Sequence, residues 1–183
     1  MKDEKRVELE NGCYRIDILY HNVIVFVNYY DTDGKQHRGD NRPACIEYED
    51  DVVYSLEFFI HGVNRRTDGE PSRIDYNDDG SIRGYCFTDE DGKAHCLNDT
   101  EPCSIYYCDG SINEVCYNIH GKETQVDPTK AWSIHYWENK IDILTYKDGE
   151  DDYAIGSGSC SYEQLRYYNI SKITPYKVKK QNI

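Results

Sequence analysis

Along most of the chain, apolar and polar residues alternate with a period of two, in short runs broken by acidic or glycine-bearing turns. Ile46 and Tyr48 flank Glu47, and Ile74 and Tyr76 flank Asp75. Ile105 and Tyr107 flank Tyr106, and Ile134 and Tyr136 flank His135. Residues two apart on an extended strand share a face. Each Ile–Tyr pair therefore predicts a strand with both side chains in the core, and Asp75 facing outward. A second apolar run follows each pair, over residues 54–60, 82–87, 112–119 and 141–146, adding a row near Phe58, Phe87, Tyr117 and Tyr146. Between the runs stand Glu49-Asp50-Asp51, Asn77 to Gly80, Cys108-Asp109-Gly110 and Glu138-Asn139. Asp-Gly between two alternating runs is a strong hairpin signal, because the turn needs positive φ.

The hairpins recur at a near-constant interval. Pro43-Ala-Cys-Ile46-Glu-Tyr48 returns as Pro71-Ser-Arg-Ile74-Asp-Tyr76, as Pro102-Cys-Ser-Ile105-Tyr-Tyr107, and, with the proline lost, as Ala131-Trp-Ser-Ile134-His-Tyr136. The isoleucines at 46, 74, 105 and 134 are 28, 31 and 29 positions apart, and Gly62, Gly92, Gly121 and Gly149 close the units. A degenerate earlier copy is expected near Ile16. Such units cannot bury their own faces singly and share one core with their neighbours. The predicted fold is all-β: an elongated, twisted antiparallel meander of roughly 9–11 strands. Residues 1–12 read as a charged N-terminal segment. Residues 13–155 read as the β-repeat domain, with units near 13–33, 34–61, 62–91, 92–120 and 121–149. Residues 156–183 read as a Gly/Ser break, a short helical cap opened by the capping box Ser161-Tyr-Glu-Gln164, and a basic tail.

Composition sharpens this picture. The chain has 18 Tyr and a net charge of −13. Tyr keeps a polar edge on a large ring and suits a sheet with one partly wet face. The charge argues against a nucleic-acid or anionic-membrane partner for the body of the protein. It is uneven: residues 161–183 carry five cations and one acid (5 − 1 = +4), leaving −13 − 4 = −17 elsewhere. Lys172, Lys177, Lys179 and Lys180 in that tail are candidate partner contacts. The opening MKDEKRVELENG lacks a secretory apolar core, so a reducing, cytoplasmic setting with free cysteines is expected.

The links between units share a pattern. Gly34-Lys-Gln-His37-Arg38-Gly39-Asp40-Asn41-Arg42-Pro43 is followed by Gly62-Val-Asn-Arg65-Arg66-Thr67-Asp68-Gly69-Glu70-Pro71, then Gly92-Lys-Ala-His95-Cys96 and Gly121-Lys-Glu. This G-K-x-H-R-x-D-x-x-P-A pattern resembles the MORN-like "HR-x-D-G-P-A" repeats of giant DNA viruses and large phages, over about residues 33–149. The resemblance implies a β-hairpin repeat architecture and, by analogy, a viral structural or accessory role, in the virion or the host cytoplasm.

Several local patterns carry possible chemistry. The segment from Asp75 to Ile82 resembles the start of a calcium loop, but its twelfth position is Cys86 and its flanks read as strands. Arg38-Gly39-Asp40 spells an adhesion tripeptide. The matching Arg66-Thr67-Asp68 marks the Arg and Asp as link residues that pair with each other or with the turn. His95, Cys96, Cys103, Cys108, Cys116 and His120 lie close in sequence without the tight pairs that zinc favours, and the cysteines read as core thiols. His37 and His95 are equivalent, yet Arg65 occupies the same slot between them, which a general base would not tolerate. No catalytic residue, metal or cofactor is expected. The functional expectation is a non-enzymatic protein that acts in protein–protein interaction or assembly, and homo-oligomerisation is possible in principle. An acidic inhibitor or nucleic-acid mimic that fills a basic site on a host protein is the alternative.

Overall fold

The computed structural model describes residues 2–98, 101–123, 130–138, 140–148 and 151–156. Among them there is no α-helix, only a three-residue 3-10 turn at Glu10–Gly12, and no helix long and apolar enough to cross a membrane. The strands are β1 (Lys2–Glu8), β2 (Tyr14–Tyr20), β3 (Val23–Tyr30), β4 (Cys45–Glu49), β5 (Val52–Glu57), β6 (Phe59–Ile60) and β7 (Val63–Asn64). They continue as β8 (Arg73–Tyr76), β9 (Ile82–Cys86), β10 (Ser104–Cys108), β11 (Ser111–Cys116), β12 (Ser133–Trp137), β13 (Lys140–Asp148) and β14 (Asp151–Gly156). All but β6 and β7 belong to one open, antiparallel twelve-stranded sheet whose strand order follows the chain; β6 and β7 pair as a small separate hairpin.

The sheet has more strands than the 9–11 that alternation predicts. β1 lies in the segment read as merely charged. Its sequence, KDEKRVE, has no apolar period, and six of its seven side chains are exposed. Its charges suit an edge strand, where they discourage pairing with other chains. β14 falls at the boundary drawn for the Gly/Ser break. The capping helix, the basic tail with Lys172, Lys177, Lys179 and Lys180, and Gly149 lie outside the described residues.

The described residues form two compact units, one covering 2–85 and 90–92, the other covering 86–89 and the described part of 93–156. In the first unit, register places Val27, Ile46, Leu56 and Ile74 in one cross-strand row, all buried. The second has the corresponding row Ile105, Val115, Ile134 and Leu144, each 0% exposed. Phe58, Phe87, Tyr117 and Tyr146 are buried as well. Of the predicted tyrosines Tyr136 is buried, while Tyr48, Tyr76 and Tyr107 are half-buried.

One hydrogen bond recurs along the chain. The backbone N–H groups of Tyr29, Phe58, Phe87 and Tyr117 donate to the carbonyls of Ala44, Ser72, Cys103 and Trp132. Register shifts also recur, at Ile18/Leu19, Glu47/Tyr48, Tyr106/Tyr107 and His135/Tyr136. Each is a β-bulge: one residue of the following strand goes unpaired and the alternation of faces breaks there.

Two expectations about register are corrected. Asp17, and not Ile16, pairs with Val27 in the row that continues to Ile46. Asp17 is buried, and the Arg15 guanidinium donates to it at 2.8 Å. Asp75 also is not solvent-facing: it is 4% exposed. Arg73, two residues away on the same face, bonds both of its carboxylate oxygens at 3.1 and 3.2 Å and reaches Glu57 at 3.2 Å. Both faces of this part of the sheet are therefore shielded, and the second face is held by charge pairing.

Candidate functional site

The turns build the same constellation twice. In the first unit, β6 and β7 are joined by His61-Gly62, both with positive φ (49° and 83°), the geometry of a tight two-residue hairpin. That turn puts the His61 ring at a hairpin tip. A preceding loop, closed by Asp31 N–H to the Lys35 carbonyl and by Gly34 N–H to the Asp31 carbonyl, places His37 beside it. The two imidazoles stack at 4.3 Å with 5° between planes. The His61 backbone N–H donates to His37 Nδ1 (3.3 Å), and His61 Nδ1 lies 2.7 Å from Asp31 Oδ2. The other Asp31 oxygen accepts from the N–H groups of Asp33 and Lys35.

The second unit repeats each part. His95 and His120 stack at 4.3 Å with 15° between planes, the His120 N–H donates to His95 Nδ1 (3.2 Å), and His120 Nδ1 sits 2.7 Å from Asp89 Oδ2. Gly62 and Gly121 donate to the Gln36 and Ala94 carbonyls respectively, and Asp89 Oδ1 accepts from Lys93 N–H. The constellation needs two successive links of different type. One supplies Asp and His (31 and 37; 89 and 95), the next an Ile-His-Gly turn (60–62; 119–121).

Chemically, a His whose Nδ1–H is held by a carboxylate presents Nε2 to solvent as a proton acceptor. His37 accepts through Nδ1 and is therefore the neutral, Nε2–H tautomer. Burial first, then repulsion from His61, lowers its pKa. The His61 bond, followed by the Lys35 N–H bond, lowers that of Asp31. Both shifts act in the same direction on stability. A group with a lowered folded pKa stabilises the fold above its unfolded pKa, and that contribution is lost as pH falls through the folded value. Melting temperature is therefore expected to drop as pH falls below about 6.5 for His37 and below about 4 for Asp31. His37→Gln should flatten the first limb and Asp31→Asn the second; a melting profile unchanged in either variant would refute the coupling.

The first unit adds a cleft of about 260 Å³ beside His37, lined by Arg38, Asp40, Arg42, Arg65 and Arg66 among others. Arg38 and Arg66 occupy equivalent link positions and lie over equivalent rings, each with its guanidinium carbon 4.0 Å from the centroid, of Tyr29 and Phe58 respectively. They differ in their charge partners. Asp68 grips Arg66 with two bonds of 2.9 and 2.5 Å. Arg38 instead donates to the Pro43 carbonyl, and Asp40, the residue equivalent to Asp68, turns to Arg42 at 3.6 Å. In the second unit the position of Arg38 is Cys96.

The remaining sequence candidates are dispersed. In the calcium-like segment, Asp79 accepts from Ser81 N–H and Gly80 takes a positive φ of 77° in the β8–β9 turn, while Asp75 is committed to Arg73. Of the Cys/His group, His95 and His120 come together with Asp89. Cys103 is buried, with its thiol raised in pKa by a bond to Cys96 and by burial, and Cys108 is exposed at a strand end. Burial pushes the Cys45 and Cys116 thiols up to about 12, so both stay protonated and unreactive at neutral pH. Among the described residues, no three His, Cys, Asp or Glu side chains are grouped to hold a metal ion. Repeat equivalence alone relates His37 to Arg65 and His95 and does not point to His61 or His120. The signal was there in the alternation of Asp-x-Asp-Gly-Lys-x-His with Ile-His-Gly.

No family model, curated protein or solved structure matches the chain.

Proposed function

We propose that this chain is a non-enzymatic β-hairpin-repeat protein of the MORN-like kind that works by binding another protein, as a scaffold or assembly component. The observation that carries this reading is an exposed aromatic and aliphatic strip on one sheet face of the second unit. Tyr106, Glu114, His135 and Ile143 form a cross-strand row on the face opposite Ile105, Val115, Ile134 and Leu144. Trp137 lies two residues beyond His135 on that same face and is 71% exposed. Tyr106 and Ile143 are exposed too. His135 Nε2 meets Glu114 at 3.3 Å in the middle of the row. Trp and Tyr are the residues most enriched among the anchors of protein interfaces, and an ion pair between them supplies register. The resemblance to viral repeats extends the proposal to virion or host proteins as partners.

The test is recovery of partners by the intact chain and by Trp137→Ala, with the bound proteins identified by mass spectrometry. The exposed ring contributes little to the fold, so the variant should melt within about 1 °C of the parent while losing most of its specific partner. Undiminished recovery would refute this face as the contact. Recovery lost equally from parent and variant in about 0.3 M salt would point instead to the acidic-mimic alternative.

A further inference from the structure

We infer that the arginine-lined cleft of the first unit is a binding site for a phosphate-class dianion. This goes beyond the protein-binding reading and rests on a different unit of the chain.

Four guanidinium groups converge on the cleft in a protein whose net charge is −13. Such a concentration of cations within an acidic chain is costly unless an anion offsets it. The acids that face it are few. Asp68 is consumed by Arg66, and Asp40, whose side chain is 88% exposed, lies at a loose 3.6 Å from Arg42. Among the described residues neither Arg38 nor Arg65 has a carboxylate partner: Arg38 donates to the Pro43 carbonyl and Arg65 to the Glu90 carbonyl. Arg65 Nε is buried with no acceptor.

The loop geometry adds donors. Gly39, Asp40 and Asn41 line the same cleft, and their backbone N–H groups donate to no described residue. Asp40 and Asn41 both have positive φ (60° and 52°), and a Cβ added to Gly39 would meet nothing within 4 Å, so a ligand can approach the backbone there. The two sides of the cleft are tied together, because Thr67 donates to Asn41 Oδ1 through its hydroxyl at 3.1 Å. Arg38 is held in place by its ring and its carbonyl bond while keeping charge to spare. Burial above all places its guanidinium below its ordinary pKa, with Tyr29 acting against that shift and repulsion from Arg42 and Arg15 adding to it. Planar forks fixed in this way favour the bidentate recognition of phosphate oxygens over that of spherical anions such as chloride.

The phosphate could be a free ion or a phosphorylated side chain. The experiment is calorimetric titration of the full chain with inorganic phosphate, and separately with O-phospho-L-serine, at constant ionic strength in chloride. Saturable binding with one site per chain is expected for at least one of the two. The tighter ligand identifies the source. Arg38→Gln should weaken it about tenfold or more, the loss of one charge-assisted bond, and Arg38→Lys by an intermediate factor. Arg6→Gln, a cation of β1 outside the cleft, should leave the affinity within about twofold. Asp40→Asn removes the acid that, among the described residues, lines the cleft itself and should tighten binding by a few-fold, which keeps the proposal testable if the Arg38 variants fold poorly. Absence of saturable binding at about 10 mM of both probes, or binding indifferent to both Arg38→Gln and Asp40→Asn, would overturn it.

Discussion

Ile134→Ala is expected to lower the unfolding free energy by about 2–5 kcal/mol, read as a shift of the urea midpoint with unchanged slope. Ile134 has no exposed surface and sits mid-row, with Val115 on one flanking strand and Leu144 on the other. Truncation removes its transfer energy and leaves a cavity that two neighbouring strands would have to close together. Val52→Ala is the matching control. Val52 is exposed beside the Asp50-Asp51 turn and should change stability by less than about 0.5 kcal/mol. Similar losses for the two variants would mean that the Ile134 row is not the core.

The second large effect concerns charge on the opposite face of the first unit. Arg73→Ala is expected to cost about 3 kcal/mol, near the low end for stripping a buried charge of its partner, because Arg73 is itself partly open to water. Its removal leaves Asp75 buried and unpaired, with Glu57 and Glu47 nearby. The Glu47 carboxyl is already raised in pKa, by burial above all, with Asp75 and Glu57 adding to it against the pull of Arg73. The double variant Arg73→Ala/Asp75→Ala should recover a large part of the loss, since no buried charge then lacks a partner. A double variant as unstable as the sum of the two single ones would show that the pair is not coupled. Chemical denaturation of the four species closes the cycle.

The contrast between these two faces shows what could be read from residues alone. The hairpins, their order and the buried isoleucines at 46, 74, 105 and 134 were legible, because a period of two and turn residues tolerant of positive φ are local properties of the chain. The bulges are hidden by a reading of strict alternation, although the chain carries a signal for them. The second strands carry apolar residues at a spacing of three and then two: Val53, Leu56 and Phe58; Ile112, Val115 and Tyr117; Ile141, Leu144 and Tyr146. One extra residue per hairpin turns that spacing into a single buried face. β1 was not legible, since an edge strand of alternating charges has no apolar signal and is recruited only by the pairing groups of β2.

What the sequence determined by itself is where the hairpins and their turns fall along the chain. Side-chain period and turn chemistry act over a few residues and leave little choice. What only the tertiary structure decided is everything that joins residues from different hairpins. His61 and Asp31 are 30 positions apart, and His61 meets both Asp31 and His37 only because the loop closed at Lys35 and the β6–β7 turn sit side by side. Arg38 and Arg66 look the same in sequence, and Arg-x-Asp follows in both. Yet Asp68 reaches Arg66 while Asp40, held at positive φ, points to Arg42. Asp75 reads as an outward charge until Arg73 and the neighbouring strands cover it. Burial and charge pairing depend on neighbours that the local pattern does not specify, and the candidate sites of this protein are made of just such contacts.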